Sequence, residues 1–265
     1  MSVREGRRGL FLPSIVVVTG IVVLISLGLW QLERKAWKEH LIETLQERLS
    51  AAPVPLAREI WTAPDSADVE FKRVVFRATF DHSQEAFVYT VGSALRSDVT
   101  ERGYWVFAPA KLADGRTVVV NRGFVPEDRE DPRTRAAGQV EGAVEIVGVL
   151  RRPETRGMFT PNDDPAHDVW YLRDHRLIAA AKGWGEVGWL FVDQDSPPAP
   201  GGLPRASPLT AHLRNEHLQY ALTWFGLAGV FAVGFAFWVR SRLAMLPSLI
   251  YLICRVRRLS RRGHT

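Results

Sequence analysis

Residues 215–239 read NEHLQYALTWFGLAGVFAVGFAFWV, and the fold turns on how that stretch is read. After Glu216 no charged residue occurs up to Val239. At a rise of about 1.5 Å per residue, a helix of that length crosses a hydrocarbon core about 30 Å thick. A core helix of a soluble domain keeps a polar face, and this stretch has none. One histidine, His217, stands at its entrance, so a membrane span and a candidate metal ligand meet in one segment.

A second uncharged run covers 9–32. It is too long for a signal-peptide core of roughly 7–15 residues, and Leu29-Trp-Gln-Leu is no small-residue cleavage site, so it reads as an uncleaved anchor. Gly20 and Gly28 are eight residues apart on one helix face, which lets a second helix approach closely. The expected fold is therefore a membrane protein: transmembrane helices at 10–32 and 215–239 flank an extracytoplasmic domain. Charge orients them. Residues 1–9 hold three Arg and one Glu, and 240–265 holds seven Arg, while the region between has 24 Lys/Arg against 28 Asp/Glu. Basic flanks stay inside, so both tails are expected in the cytoplasm. The start lacks a long Arg/Ser-rich extension, which points to a bacterial cell inner membrane with a periplasmic central domain. The chain's formal +5 is thus a property of the tails and indicates membrane lipids rather than nucleic acid as partner. The apolar run at 243–254 is too short to span and reads as an interfacial helix within the basic tail. The single cysteine, Cys254, lies there, so packing alone must hold the central domain.

Between the spans, 33–55 reads as a juxtamembrane amphipathic helix, with Trp37, Leu41, Leu45 and Leu49 on one face and Pro53 and Pro55 as its stop. It either packs on the central domain or forms a lid whose Arg34, Lys35 and Lys38 donate to anions. From 56 to 195 the pattern is α+β and mostly antiparallel β. VEFKRVVFRATF, EAFVYTVG, GYWVFAPAKL, TVVVNRGFV, AVEIVGVLRR and VGWLFVD are short, rich in β-branched and aromatic residues, and bounded by turn residues. Asp114-Gly115 marks a hairpin, and the spacing favours a sheet closing toward a barrel. DHRLIAAAKG at 174–183 reads as a helix with an Asp cap and a Gly stop. Residues 127–142 read as a loop, and the Pro/Gly-rich 196–214 as a linker to the second span.

Enzymatic signals are weak. No glycine-rich nucleotide loop, GxSxG or HExxH is present, and one cysteine excludes cysteine-based zinc sites and iron–sulfur clusters. His82, His167 and His175 match no metal spacing. Arg122 in NRGF pairs with a carboxylate inside the fold or contacts a partner; the residues leave both open. Asn162, Asp163, Asp164 and Asp168 lack EF-hand spacing and read as a structural loop. His217 differs: a neutral imidazole at the mouth of a span can ligate a haem iron, the only metal route offered here. Ala221, at i+4, leaves room on that face, Ala228, Ala232 and Ala236 form a small-residue row, and Arg214, Arg34 and Lys38 are candidate propionate contacts.

LGLWQLERKAWKEHLI (27–42), VNRGFVP (120–126), GVLRRPE (148–154), FTPNDDP with the following WYLRD (159–174) and NEHLQYALTWFGLA (215–228) together resemble the surfeit locus family of cytochrome c oxidase assembly factors. The resemblance implies no catalytic residues. It implies a role in building the haem–copper oxidase core by receiving haem a, a transient cofactor, and supporting its insertion into the catalytic subunit. The cytochrome c oxidase catalytic subunit and haem a synthase are the implied partners, and the histidine of the last motif, here His217, is the implied axial ligand. Glu216 departs from the amide or basic residue expected beside it and either repels propionates or accepts a hydrogen bond from the imidazole. The alternative within the same pathway is a cofactor-free membrane scaffold that stabilises oxidase assembly intermediates.

Overall fold

The structure, a computed structural model, describes the backbone of residues 3–56, 69–210 and 215–260, with side chains from 11 onward and up to 243. It forms two compact bodies. One comprises Met1–His40 and Arg214–Thr265, the other Leu41–Leu213.

The first body is a pair of long helices, α1 (Val3–Ser50, of which the first body takes the part up to His40) and the C-terminal α3 (His217–Ser260). Each contains a stretch long and apolar enough to cross a membrane, and these are the chain's two transmembrane helices. At Gly28 the two helices lie close together: a Cβ there would lie 2.3 Å from Cε1 of Phe225. Gly20, expected on the same seam, has open space around it. Of the alanine row, Ala228 is buried while Ala232 and Ala236 are exposed. α3 runs without a break through the basic tail to Ser260, so 243–254 continues the spanning helix instead of forming a separate element.

The second body is the β-rich domain. The last turns of α1 belong to it, with Leu45 buried and the Arg48 guanidinium donating to the Glu70 carbonyl at 3.0 Å. Trp37 and Leu41 are exposed, so the expected apolar stripe is covered only at its C-terminal end. Among the described residues seven strands follow: β1 (Val54–Pro55), β2 (Arg73–Phe80), β3 (Ala86–Thr90), β4 (Gly103–Leu112), β5 (Thr117–Pro126), β6 (Ala143–Arg151) and β7 (Phe191–Ser196). Their order is β1-β2-β6-β7-β5-β4-β3, and a further β2–β4 pairing joins β2, β6, β7, β5 and β4 into a closed ring. Closure removes the edges that an open sheet would expose. The sheet is mixed, because β5–β7 and β1–β2 pair in parallel. α2 (His175–Lys182) carries the expected Asp174 cap and Gly183 stop, the latter at φ 69°.

Alternation along the strands separates two cores. Phe76, Ala78, Ala110, Val118, Val120 and Ile146 fill the barrel interior. Trp105, Phe107, Val119, Trp170, Ile178 and Phe191 form a layer on the outside, covered by α2 and the strand β3. Two expected loops turn out to be ordered. Residues 127–142 contain 3-10 turns at Glu127–Arg129 and Pro132–Gly138. In the supposed linker, Arg205 and Phe124 exchange backbone hydrogen bonds at 2.7 and 3.1 Å, so that segment is a lateral addition to β5.

Candidate functional site

His217 opens α3 and is half-buried. Its Nδ1 lies 2.7 Å from Oε1 of Gln31 on α1. An amide oxygen only accepts, so the ring donates its Nδ1 proton, and in a neutral ring the lone pair then lies on Nε2. Metal-ligating histidines are held in that state by a hydrogen bond from the other ring nitrogen. Gln31 is the partner of this ring that sequence reasoning missed; its signal was its place in LGLWQL, one of the family motifs. Gln31, and not Glu216, is the acceptor the structure gives to this ring. Ala221 is fully buried, so the room expected at i+4 is already filled. Among the described residues no group of three His, Cys, Asp or Glu could hold a bare metal ion.

Arg34 and Lys38 follow Gln31 by three and seven positions, on one face of α1. The Arg34 guanidinium lies 4.6 Å from the centre of the Trp37 ring. Lys35, between Arg34 and Lys38 in sequence, is paired with Glu39 at 2.7 Å. Arg214 lies outside the described residues. The donor set is consistent with a porphyrin dicarboxylate whose iron takes one histidine: one oriented imidazole, with cations on the neighbouring helix.

The motifs of the β-rich domain fall on its framework. In VNRGFVP, Asn121 donates to buried Asp193 at 2.5 Å and accepts from the Gly123 N–H at 3.1 Å. Arg122 pairs with a carboxylate inside the fold: its Nη1 lies 2.7 Å from Glu85, whose other oxygen takes Arg135 at 2.7 Å. Gly123 sits at φ 121°, and a Cβ there would lie 2.3 Å from the Arg205 carbonyl oxygen. In GVLRRPE, Arg151 reaches Asp193 at 3.2 Å, and Glu154 takes the Arg173 Nε at 2.9 Å. In FTPNDDP, Asp163 Oδ1 accepts from the Tyr171 N–H at 2.7 Å, and Asp164 and Asp168 pair with His167 and Lys182. That loop is structural.

Titration follows burial. Desolvation alone would raise the Glu85 carboxyl, but hydrogen bonds from His82 and Arg135 and the charges of Arg135 and Arg122 outweigh it and hold the group at about 2. Burial pushes His175 down to about 4, and its Nε2 lies 2.9 Å from the Gly188 carbonyl. His82 Nε2 lies 2.9 Å from the Val140 carbonyl, and its Nδ1 lies 3.2 Å from Nη1 of Arg122. Among the described residues none of His82, His167 and His175 belongs to a group of three side chains that could hold a metal ion.

A family model, "SURF1 family", matches residues 18–229. "Surfeit locus protein 1" of Rattus norvegicus is 38% identical over 76% of this chain and 67% of its own length. The protein of that name from Homo sapiens is 36% identical over 78% and 71%, and "SURF1-like protein" of Monosiga brevicollis 40% identical over 82% and 83%. These relatives, like those from Mus musculus and Drosophila melanogaster, are eukaryotic. They argue against the bacterial inner membrane, with its cytoplasmic and periplasmic sides, and that expectation is corrected. Charge bias reports which tails share a side of a membrane, not whose membrane it is. The matched span contains every motif quoted above, and the chain belongs to the SURF1, or surfeit locus, family of cytochrome c oxidase assembly factors, which are not enzymes.

Proposed function

We propose that the protein receives haem a at the mouth of α3, through Nε2 of His217, and supports its insertion into the catalytic subunit of cytochrome c oxidase. The observation that carries this reading is the 2.7 Å contact between His217 Nδ1 and Gln31 Oε1, which leaves the second nitrogen as a ligand. Haem a is cargo here. A carrier must release what it binds, and a single axial histidine on a half-buried helix end suits release better than a closed two-ligand site. Arg34, Lys38 and Arg214 supply positive charge toward propionates. The catalytic subunit is the acceptor in this reading, and haem a synthase the donor.

The reading is tested on the oxidase itself. In cells whose own family member is deleted, wild-type protein should restore haem a to the isolated oxidase, and His217→Ala should restore only a small fraction of it at equal expression. Full restoration by His217→Ala would overturn the ligand assignment.

A second reading, the cofactor-free scaffold, is favoured by Met158 and Phe159. They are 92% and 93% exposed at the tip of a turn closed by Gly157 and Thr160, an apolar tip that ordinary packing does not explain. It expects the oxidase core to co-purify with the protein regardless of His217, and to be lost on Phe159→Ser.

A further inference from the structure

The β-rich domain holds a cavity of about 280 Å³ beside the turn that follows β3. Arg96, on its wall, is only 1% exposed. Its guanidinium donates to two backbone carbonyls, Gln194 at 3.0 Å and Arg205 at 3.5 Å. The other buried arginines of this domain each touch a carboxylate: Arg122 and Arg135 share Glu85, and Arg151 has Asp193. Among the described residues Arg96 alone of these has no ion pair, and Asp193, Asp195 and Asp98 act on it only from a distance. A buried cation without a counter-charge is costly.

The rest of the cavity is rich in donors and poor in acceptors. Arg173, which also lines it, spends Nε and Nη2 on Glu154, while Nη1 is left 3.8 Å from Asp193. The Arg96 and Arg173 guanidiniums lie 5.4 and 5.8 Å from the Trp105 ring centre, which fixes both beside the same wall. Ser93 Oγ accepts from the Leu95 and Arg96 N–H groups, so its own proton remains to donate. Tyr89 and Tyr171 also line it. Glu154, the carboxylate on the wall, is already occupied by Arg173. The volume is small for a drug-sized ligand and ample for a few heavy atoms with water.

We propose that this cavity binds a small oxyanion, a carboxylate or a phosphate group, with Arg96 and Arg173 as its charged partners and Ser93, Tyr89 and Tyr171 as neutral donors. The ligand supplies the direct ion pair that Arg96 lacks among the described residues. This site is independent of the haem reading, and its test involves no haem.

The test is calorimetric titration of the full-length protein in detergent with inorganic phosphate and, separately, with acetate, ionic strength being held constant with chloride. Saturable one-to-one binding of either anion is expected, and which one binds tells phosphate from carboxylate. Arg173→Gln should weaken it about tenfold or more, the worth of one charged hydrogen bond, and Arg173→Lys should recover part of the loss. No saturable heat with either anion would overturn the proposal, as would equal affinity in a folded Arg173→Gln protein. If Arg173→Gln fails to fold, Tyr171→Phe takes its place, with weaker binding expected and unchanged binding contradicting the assignment.

Discussion

Glu85 shows what a single side chain does in this domain. It bridges Arg122 on β5 and Arg135 in the turn after it, and accepts from Gln139 at 3.3 Å. Removing one member of a buried pair leaves its partners uncompensated, so Glu85→Ala should cost about 3–5 kcal/mol, read as the denaturant midpoint of tryptophan fluorescence. Arg122 was legible as a functional or structural cation from NRGF, but its partner was not, because Glu85 lies 37 residues away and only the sheet brings them together. The same limit hid Gln31 from His217, which are 186 residues apart. His217 drew the eye because a histidine at the end of an uncharged run stands out. Gln31→Leu should leave the imidazole unheld and weaken any haem a loading about 10–100-fold, the usual cost of losing such an orienting partner, measured by titration.

At the scale of elements, contacts between backbones decide more than side-chain chemistry. Gly28→Leu would drive a side chain into the Phe225 ring, separating α1 from α3, and Phe225→Ala should relieve it. The expected outcome is a lowered thermal midpoint of the helical circular-dichroism signal in the single variant, recovered in the double; an unchanged single variant would show that the helices do not pack there. Gly123→Ala adds a left-handed backbone to a clash with the Arg205 carbonyl and should cost about 4 kcal/mol or more, seen as loss of cooperative unfolding. Strand positions were legible from β-branched and aromatic runs, and α2 from its Asp and Gly caps. The parallel β5–β7 pair and the docking of Arg205 on Phe124 were not, since nothing local in VGWLFVD or in a Pro/Gly-rich stretch states which strand it will join. Nor does an apolar run state where a helix stops, which is why α3 extends beyond Val239.

For the whole molecule, two buried groups set the acid limit. His175 is neutral in the fold and held at about 4, while its unfolded form takes a proton near its ordinary 6.5. Between those values the unfolded chain binds more protons, so stability falls as pH drops from about 6.5 and this contribution is gone by about 4. Glu85 is charged in the fold down to about 2 against 4.5 unfolded, so its contribution is present above 4.5 and lost as pH falls toward 2. A thermal melt series should therefore decline in two successive stages, and His175→Phe should flatten the first without moving the second. The two-span architecture was legible because charge and apolarity segregate along the chain, and the closed barrel only in outline. The compartment was not legible, since the physics of insertion is common to many membranes. The most direct measurement is the absorption spectrum of detergent-purified protein co-expressed with the haem a biosynthetic enzymes, wild type beside His217→Ala. A haem a spectrum that vanishes or shifts in the variant is the result this account predicts, and colourless wild-type protein, or equal haem loading in both, would contradict it.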